Sequence, residues 1–298
     1  MILTVYNVNA EQIIFLGDLH GNFDTLLFWL KNFVFKNTAI IVCGDIGLGF
    51  YKPKYYHTKL EAIEKFCKEC NCNVYFFRGN HDDPEYFSGS NWDKIASVGG
   101  FEKVHAIGDY SVIQTIDNDK ITHNILCVGG GVSIDRTWRI KNDILNASKY
   151  ARYTGMSLAE AEKTLEPTYW KDELPTYDDE VLTLLAGSGI NIDIVCTHTC
   201  PSFVGFKDKE GVKGWLKNDP DLEADMNRER EVMDELWKRL KADGHNITKW
   251  IYGHFHKHMD EEYEGVRFVM LDMCHPEYSK FDTFELKNDE NILTQNIN

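Results

Sequence analysis

Residues 12–21 read Gln12-Ile13-Ile14-Phe15-Leu16-Gly17-Asp18-Leu19-His20-Gly21. An apolar, β-branched run is followed by an acid and an imidazole two residues apart, held between glycines. The run predicts a buried strand, and the polar residues fall at its carboxyl end. The same arrangement recurs downstream. Ala39 to Cys43 is a second apolar run and leads into Gly44-Asp45-Ile46-Gly47, and Asn73 to Phe77 is a third and leads into Gly79-Asn80-His81-Asp82. Between the runs lie helical patterns. Asn22 is placed to cap a helix carrying Phe23, Leu26, Leu27, Leu30 and Val34 at helical spacing, and Lys59 to Cys70 reads as another. Strand, helix, strand, helix, strand predicts right-handed crossovers and a parallel sheet. In such sheets ligand sites gather on the loops after the carboxyl ends of the strands, where all three polar motifs lie.

The remainder of the chain changes character. Tyr110 to Ile116 and Asn124 to Val128 read as strands joined by a turn at Asp117-Asn118-Asp119, which predicts hairpins and a second, mixed or antiparallel sheet. Gly129-Gly130-Gly131 breaks the second of these strands and allows close backbone approach. Residues from about Ser133 to Tyr177 read as irregular, polar and aromatic, a lid-like insertion at about 133–177. Ile192 to Cys196 predicts a buried strand leading to Thr197-His198-Thr199. Pro220 opens a helix to about Ala242 with Leu222, Met226, Met233, Trp237 and Leu240 inside, ended by Gly244. Trp250 to Tyr252 leads to Gly253-His254-Phe255-His256, and strands at Val266 to Leu271 and Thr283 to Leu286 close the chain. With no repeat, low-complexity run or linker, residues 1–298 are expected to form a single domain.

Composition bounds the function. The 298 residues are 43% hydrophobic and 27% charged, ordinary for a globular protein with a sizeable core. The net charge of −15 argues against duplex nucleic acid as a partner, because phosphate neutralisation needs clustered Lys and Arg. No apolar stretch is long enough for a membrane span, and Met1 to Glu11 carries no secretion-signal pattern. The eight cysteines then suit a reducing cytoplasm, with Cys67, Cys70 and Cys72 read as plain thiols at a helix end. Nothing in the pattern specifies an oligomeric state.

The five motifs bring together carboxylates, an amide and imidazoles. In a D-x-H strand end, alternation places Asp18 and His20 on one face, able to grip one ion, and His254 and His256 repeat that spacing. Asp45 has two oxygens and can bridge, Asn80 offers a neutral oxygen, and His198 offers a ring nitrogen. Two divalent ions carry +4 and the two aspartates −2, leaving net positive charge to hold a hydroxide and polarise a phosphate ester. The mixed nitrogen and oxygen donors suit Mn, Fe or Zn.

In this order the motifs resemble the calcineurin-like metallophosphoesterases, across Asp18 to His256. The resemblance implies a four-layer α/β/β/α sandwich, two mixed sheets flanked by helices. It implies one metal on Asp18, His20, Asp45 and His256 and another on Asp45, Asn80, His198 and His254. A metal-bridging hydroxide would attack phosphorus, and His81 would contact substrate and protonate the leaving oxygen. Leu48 and Gly49 stand where protein Ser/Thr phosphatases of the superfamily carry Asp and Arg, which argues against that branch; Leu48 also replaces the Tyr that purple acid phosphatases need. The run Gly129 to Asp135, with Arg136 and Arg139, resembles a G-G-A-x-S-x-D element of bacterial and phage metallophosphoesterases, and Tyr169-Trp170-Lys171-Asp172-Glu173 resembles its companion segment.

The expected activity is hydrolysis of a phosphoric ester in a phosphorylated small molecule or nucleotide-like substrate, by a phosphatase or a phosphodiesterase. A nuclease acting on short or single-stranded nucleic acid is the alternative enzyme, and a metal-binding interaction scaffold is the non-enzyme alternative. Arg136 and Arg139 are candidates to grip the substrate phosphate, an ion pair to the acidic lid being the competing use. Arg78 is expected in a surface pair, and His275 lies in a turn that can line the site. Trp138, Tyr153 and Trp170 either stack on a base or pack the lid.

Overall fold

The computed structural model describes residues 2–32, 35–88, 90–96, 100–207, 209, 211–274 and 276–278. Its strands are β1 (Val5–Asn9), β2 (Gln12–Leu16), β3 (Thr38–Val42), β4 (Asn73–Phe76), β5 (Val104–Ala106), β6 (Ser111–Asp117), β7 (Lys120–Val128), β8 (Ile194–Thr197), β9 (Lys249–Tyr252), β10 (Met259–Tyr263), β11 (Val266–Met270) and β12 (Pro276–Tyr278). Its helices are α1 (Phe23–Asn32), α2 (Pro53–Cys70), α3 (Ser90–Ala96), α4 (Arg136–Thr154), α5 (Leu158–Thr164), α6 (Asp179–Gly187), α7 (Val212–Trp215) and α8 (Leu222–Ala242), with a 3₁₀ turn at Pro84–Tyr86.

The apolar runs are continuous because both faces of each central strand are covered. In β2, Ile14 and Leu16 pack with Phe23, Leu26 and Leu30 of α1 and with Tyr56, Leu60 and Ile63 of α2. The alternate residues Ile13 and Phe15 face the other way. There they join Ala39 and Ile41 of β3 and meet Ile113, Ile125, Cys127, Ile194, Cys196, Ile251 and Val269 of the second sheet. That sheet turns its outer face, including Leu126, Val195, Trp250 and Phe268, to Val181, Leu182 and Leu185 of α6 and to Met233, Leu236, Trp237 and Leu240 of α8. The result is four layers: helices, sheet, sheet, helices. Each large apolar side chain buried in them contributes about 1.5–3 kcal/mol relative to exposure.

The five-stranded sheet runs β12-β2-β3-β4-β5, parallel except where β12 meets β2. The seven-stranded sheet runs β1-β6-β7-β8-β9-β11-β10 and is mixed, with the expected β6–β7 hairpin antiparallel and β7-β8-β9-β11 parallel. Every strand that the apolar pattern missed, β1, β5, β10 and β12, is a sheet edge. Edge strands are short and half-solvated, so they lack a strong apolar signal; β10 carries Asp260, Glu261 and Glu262 in succession.

The segment 133–177 is not irregular. It holds the 19-residue helix α4 and the shorter α5, which is opened by a Ser157–Glu160 capping box. Within α4 only Arg136 and Ala147 are buried, so no core stripe betrays it. Two smaller differences concern helix starts. Helix α2 begins at Pro53, six residues before the apolar pattern, and α8 begins at Leu222 after an Asp221 cap. Val34, His275 and the strand expected at Thr283 to Leu286 lie outside the described residues. Among the described residues no helix is long and apolar enough to cross a membrane.

Candidate metal centre

Strand alternation does not account for the convergence of the motif side chains. Strand β2 ends at Leu16 and β9 at Tyr252, so Asp18, His20, His254 and His256 all lie in loops beyond them. What aims them is backbone turning: His20, Asp45, His254 and His256 adopt φ of 46°, 49°, 70° and 53°. Non-glycine residues rarely enter this left-handed region, and such strain persists only where surrounding contacts enforce it. Those contacts run from motif to motif. The backbone N–H groups of Leu19 and His20 donate to the Asp45 carbonyl at 3.0 and 2.7 Å, and Gly253 N–H donates to the His198 carbonyl at 3.1 Å. The carboxylates are held likewise: Asp18 accepts from His254 N–H at 3.0 Å and Asp45 Oδ1 from His81 N–H at 2.8 Å. Gly79 and Gly253 permit this, since a Cβ would stand 2.1 Å from Asp45 Oδ1 at the first and 2.0 Å from Asp18 Oδ1 at the second.

Two donor clusters result. In one, donor atoms of Asp18, His20, Asp45 and His256 all lie within 4.8 Å of one another. His20 Nε2 is 2.9 Å from His256 Nε2, and His256 Nε2 is 3.1 Å from Asp18 Oδ2. In the other, His198 Nε2 lies 3.0 Å from Asn80 Oδ1, 3.1 Å from His254 Nδ1 and 3.2 Å from Asp45 Oδ1. Asp45 touches both, its Oδ2 being 3.6 Å from His20 Nε2. Second contacts set the donor faces. His198 Nδ1–H donates to the Cys43 carbonyl at 2.8 Å, which turns Nε2 inward, and Asn80 donates its amide hydrogen to Ser133 Oγ at 2.9 Å, which turns Oδ1 inward.

The donor set fits divalent cations. Asp45 Oδ2 is buried without a hydrogen-bond partner among the described residues, an arrangement that is costly unless a cation serves it. Imidazole nitrogens and carboxylate oxygens, without thiolate, suit Mn, Fe or Zn. The electrostatics agree. Burial alone would raise Asp18, yet the imidazoles around it hold it below the usual carboxylate range. Burial would lower His198, yet Asp45 lifts it to about 9. Burial first, and then the Arg139 guanidinium, push His81 down to about 3 against the opposing pull of Asp45.

The two candidate arginines part ways. Arg139 reaches the cluster rim, with Nη2 3.0 Å from His81 Nε2, while its Nε pairs with Asp135 at 2.8 Å and Nη1 donates to the Thr168 carbonyl at 3.0 Å. Arg136 does not. It is buried and forked onto Asp219 at 2.7 Å, with Nη1 on Asp225 at 2.5 Å, so its charge is spent in an ion pair tying α4 to the start of α8. Arg78 is likewise no surface group. It is buried, pairs with Asp109 at 2.8 Å and donates to the carbonyls of Asp172, Glu173 and Leu174. Trp170 packs edge-on to Phe50, while Trp138 and Tyr153 are 55% and 90% exposed. Cys67 is buried and so is kept a protonated thiol.

Four polar residues near the centre were given no role from sequence. Asp82 accepts N–H groups of Ile46, Gly47, Leu48 and Gly79 at 2.8–3.0 Å and so locks the Asp45 loop to the Asn80 loop. Glu229 of α8 accepts from Val132 N–H and Thr199 Oγ1 at 2.6 Å and lies 3.6 Å from His254 Nε2. Its signal was a carboxylate on the inner stripe, between Met226 and Met233. Glu173 accepts from Ser133 N–H at 2.9 Å, behind Asn80. Lys209 Nζ lies 3.4 Å from His254 Nδ1, and its surroundings in sequence carry no motif.

A family model described as calcineurin-like phosphoesterase matches residues 12–258. No protein of curated function matches. Solved structures similar to the chain include a dimetal phosphatase from Danio rerio, 12% identical over 89% of this chain and 88% of that one with a TM-score of 0.43. The protein TT1561 of Thermus thermophilus is 11% identical over 91% and 99% with a TM-score of 0.45. The phosphopantetheinyl hydrolase of Mycobacterium tuberculosis is 12% identical over 91% and 96% with a TM-score of 0.41. The family match takes in every motif from Asp18 to His256 and well over half of the sequence, and the chain belongs to the calcineurin-like phosphoesterase family.

Proposed function

We propose that this chain is a dinuclear metal-dependent phosphoric ester hydrolase. One divalent ion is assigned to Asp18, His20, Asp45 and His256, and the other to Asp45, Asn80, His198 and His254. The observation that carries the assignment is Asp45, buried between two donor clusters with Oδ2 unpartnered among the described residues. Bound there, two such ions supply Lewis-acid activation of water and positive charge toward the phosphoryl oxygens.

The chain's own groups do the rest. Arg139 offers a guanidinium donor beside His81, placed to take a phosphoryl oxygen and neutralise its charge. His81, between Arg139 and the His20 ring, is placed to present a ring N–H to the leaving oxygen. Asp82 and Ser133 keep the Asp45 and Asn80 loops in register. The substrate is proposed to be a phosphorylated small molecule or nucleotide-like ester.

The test is a substrate panel with Mn, Fe or Zn added back. His81→Ala should retain metal binding by calorimetry and lose roughly 10²–10⁴-fold in turnover. Unchanged turnover would remove His81 from the chemistry. Comparing mono- and bis-aryl phosphate rates decides phosphatase against phosphodiesterase. Hydrolysis of neither ester by a metal-loaded protein would favour the scaffold alternative.

A further inference from the structure

Helices α4 and α5 and the loop at Phe50–Lys52 border an open cavity of about 970 Å³ that plays no part in the chemistry above. We propose that it receives the organic part of the phosphate ester, and that this part carries an aromatic ring. The assignment rests on the phosphoesterase reading only for the phosphoryl group to which that ring is attached.

Continuity with the metal centre is the first argument. The Phe50 ring lines the cavity and lies 6.3 Å from the His81 ring. Arg139 spans the same boundary: it contacts His81 at 3.0 Å and donates to the carbonyl of Thr168, a cavity residue, at 3.0 Å. An ester whose phosphoryl group sits against His81 and Arg139 therefore has the cavity as its neighbour on the α4 side.

The lining is the second argument. Phe50, Tyr51, Tyr150, Tyr153 and Tyr169 all border the cavity. Tyr51 and Tyr153 are 54% and 90% exposed, and the neighbouring Ile140 and Ile144 are 40% and 49% exposed. The helical hairpin thus leaves large apolar side chains uncovered around one concavity of small-molecule size, instead of folding them into a core. Flat aromatic groups match such rings by edge-to-face and offset contacts.

Charge is the third argument. The chain carries −15 overall, yet the cavity wall is not acidic. Lys52 neutralises Glu166, and Asp143 is occupied by the Thr168 amide and hydroxyl at 2.8 and 2.9 Å. Asp143 keeps its charge there, so Lys52, Lys149 and Lys171 balance Asp143, Glu162 and Glu166 and the wall is neutral, which suits the uncharged organic part of a phosphate ester.

The experiment measures calorimetric binding of 3-phenylpropyl phosphonate and propyl phosphonate to the Mn-loaded full chain. The parent should prefer the phenyl compound by roughly tenfold or more, the worth of one buried ring edge. Ile144→Asp should bring the two affinities within about threefold of each other, and Tyr153→Ala, at a site too exposed to threaten the fold, should lower the preference by at least about threefold. Equal affinities in the parent, or a preference untouched in Tyr153→Ala, would overturn the cavity assignment. Equal binding of 3-cyclohexylpropyl phosphonate would overturn the aromatic part of it. The matching phosphate esters, whose alkoxide leaving groups are alike in basicity, separate the two readings. A phenyl binding preference with neither ester hydrolysed sinks the phosphoesterase reading alone. Hydrolysis of both esters at equal kcat/KM, with no binding preference, sinks the cavity assignment alone.

Discussion

The Glu173 carboxyl is enclosed behind Asn80, with Oε1 receiving Ser133 N–H at 2.9 Å and Oε2 unpartnered among the described residues. Burial pushes it up to about 8 from an ordinary 4.5. In the range between those values the folded chain keeps a proton that the unfolded chain releases. Stability therefore falls as pH rises from about 4.5 to 8, and is free of this penalty below that range. Glu173→Gln keeps an acceptor for Ser133 and abolishes the titration. Denaturant unfolding at pH 5 and pH 8 should show a smaller loss of stability for the variant than for the parent; parallel losses would refute the assignment. Gly253 sets a steric condition of the same local kind. A methyl group there would stand 2.0 Å from Asp18 Oδ1, so Gly253→Ala must displace that carboxylate. Mn binding by calorimetry is expected to weaken by roughly tenfold or more while the far-ultraviolet circular dichroism is preserved; full-strength binding would show that Asp18 is not needed where it stands. At this scale the donor residues were legible as residue types in order. Their aim was not, because it depends on left-handed φ at His20, Asp45, His254 and His256, which the surrounding hydrogen bonds impose.

Helix α2 does more than cover the five-stranded sheet. The hydroxyl of its buried Tyr56 accepts N–H groups of Gly49 and Tyr51 at 3.0 Å and donates to the Gly47 carbonyl at 2.8 Å, pinning the loop that follows Asp45. Tyr56→Phe leaves these groups without a partner and should cost about 1–3 kcal/mol in denaturant unfolding. A change within about 0.5 kcal/mol, the usual range for an inconsequential surface substitution, would show that the loop does not depend on this tie. The tie belongs to the part of α2 that periodicity missed, because among residues 53–58 Tyr56 alone is buried, its ring in the core and its hydroxyl on the loop, too little for an apolar pattern. The same logic covers α4, whose apolar side chains line a cavity and leave no buried stripe. Central strands, covered on both faces, were legible as apolar runs; edge strands and helices dedicated to the site were not. Glu229 shows the intermediate case, a carboxylate beside His254 placed on a core stripe by ordinary helical spacing.

At the scale of the molecule, the candidate donors come from both sheets. Asp18, Asp45 and Asn80 follow β2, β3 and β4 of the five-stranded sheet, and His198, His254 and His256 follow β8 and β9 of the seven-stranded one. Each cluster mixes the two sources, with Asp18 beside His256 at 3.1 Å and Asp45 beside His198 at 3.2 Å. A cation held by both sheets joins them at one end of their shared apolar interface, so its binding free energy is added to the stability of the pair. Mass action sets the size: at a hundredfold excess over Kd, one site contributes about 2.7 kcal/mol. For a chain of this length that corresponds to a rise in Tm of roughly 4 °C per site. Calorimetric melting with added Mn should show this rise, and a chelator should reverse it. Asp45→Asn weakens both clusters at once and should remove most of the shift, whereas Lys120→Gln, at the end of β7 opposite the one that pairs with Thr197, should keep it. A shift absent from the parent, or equal in Asp45→Asn, would mean that no cation is shared across the two sheets.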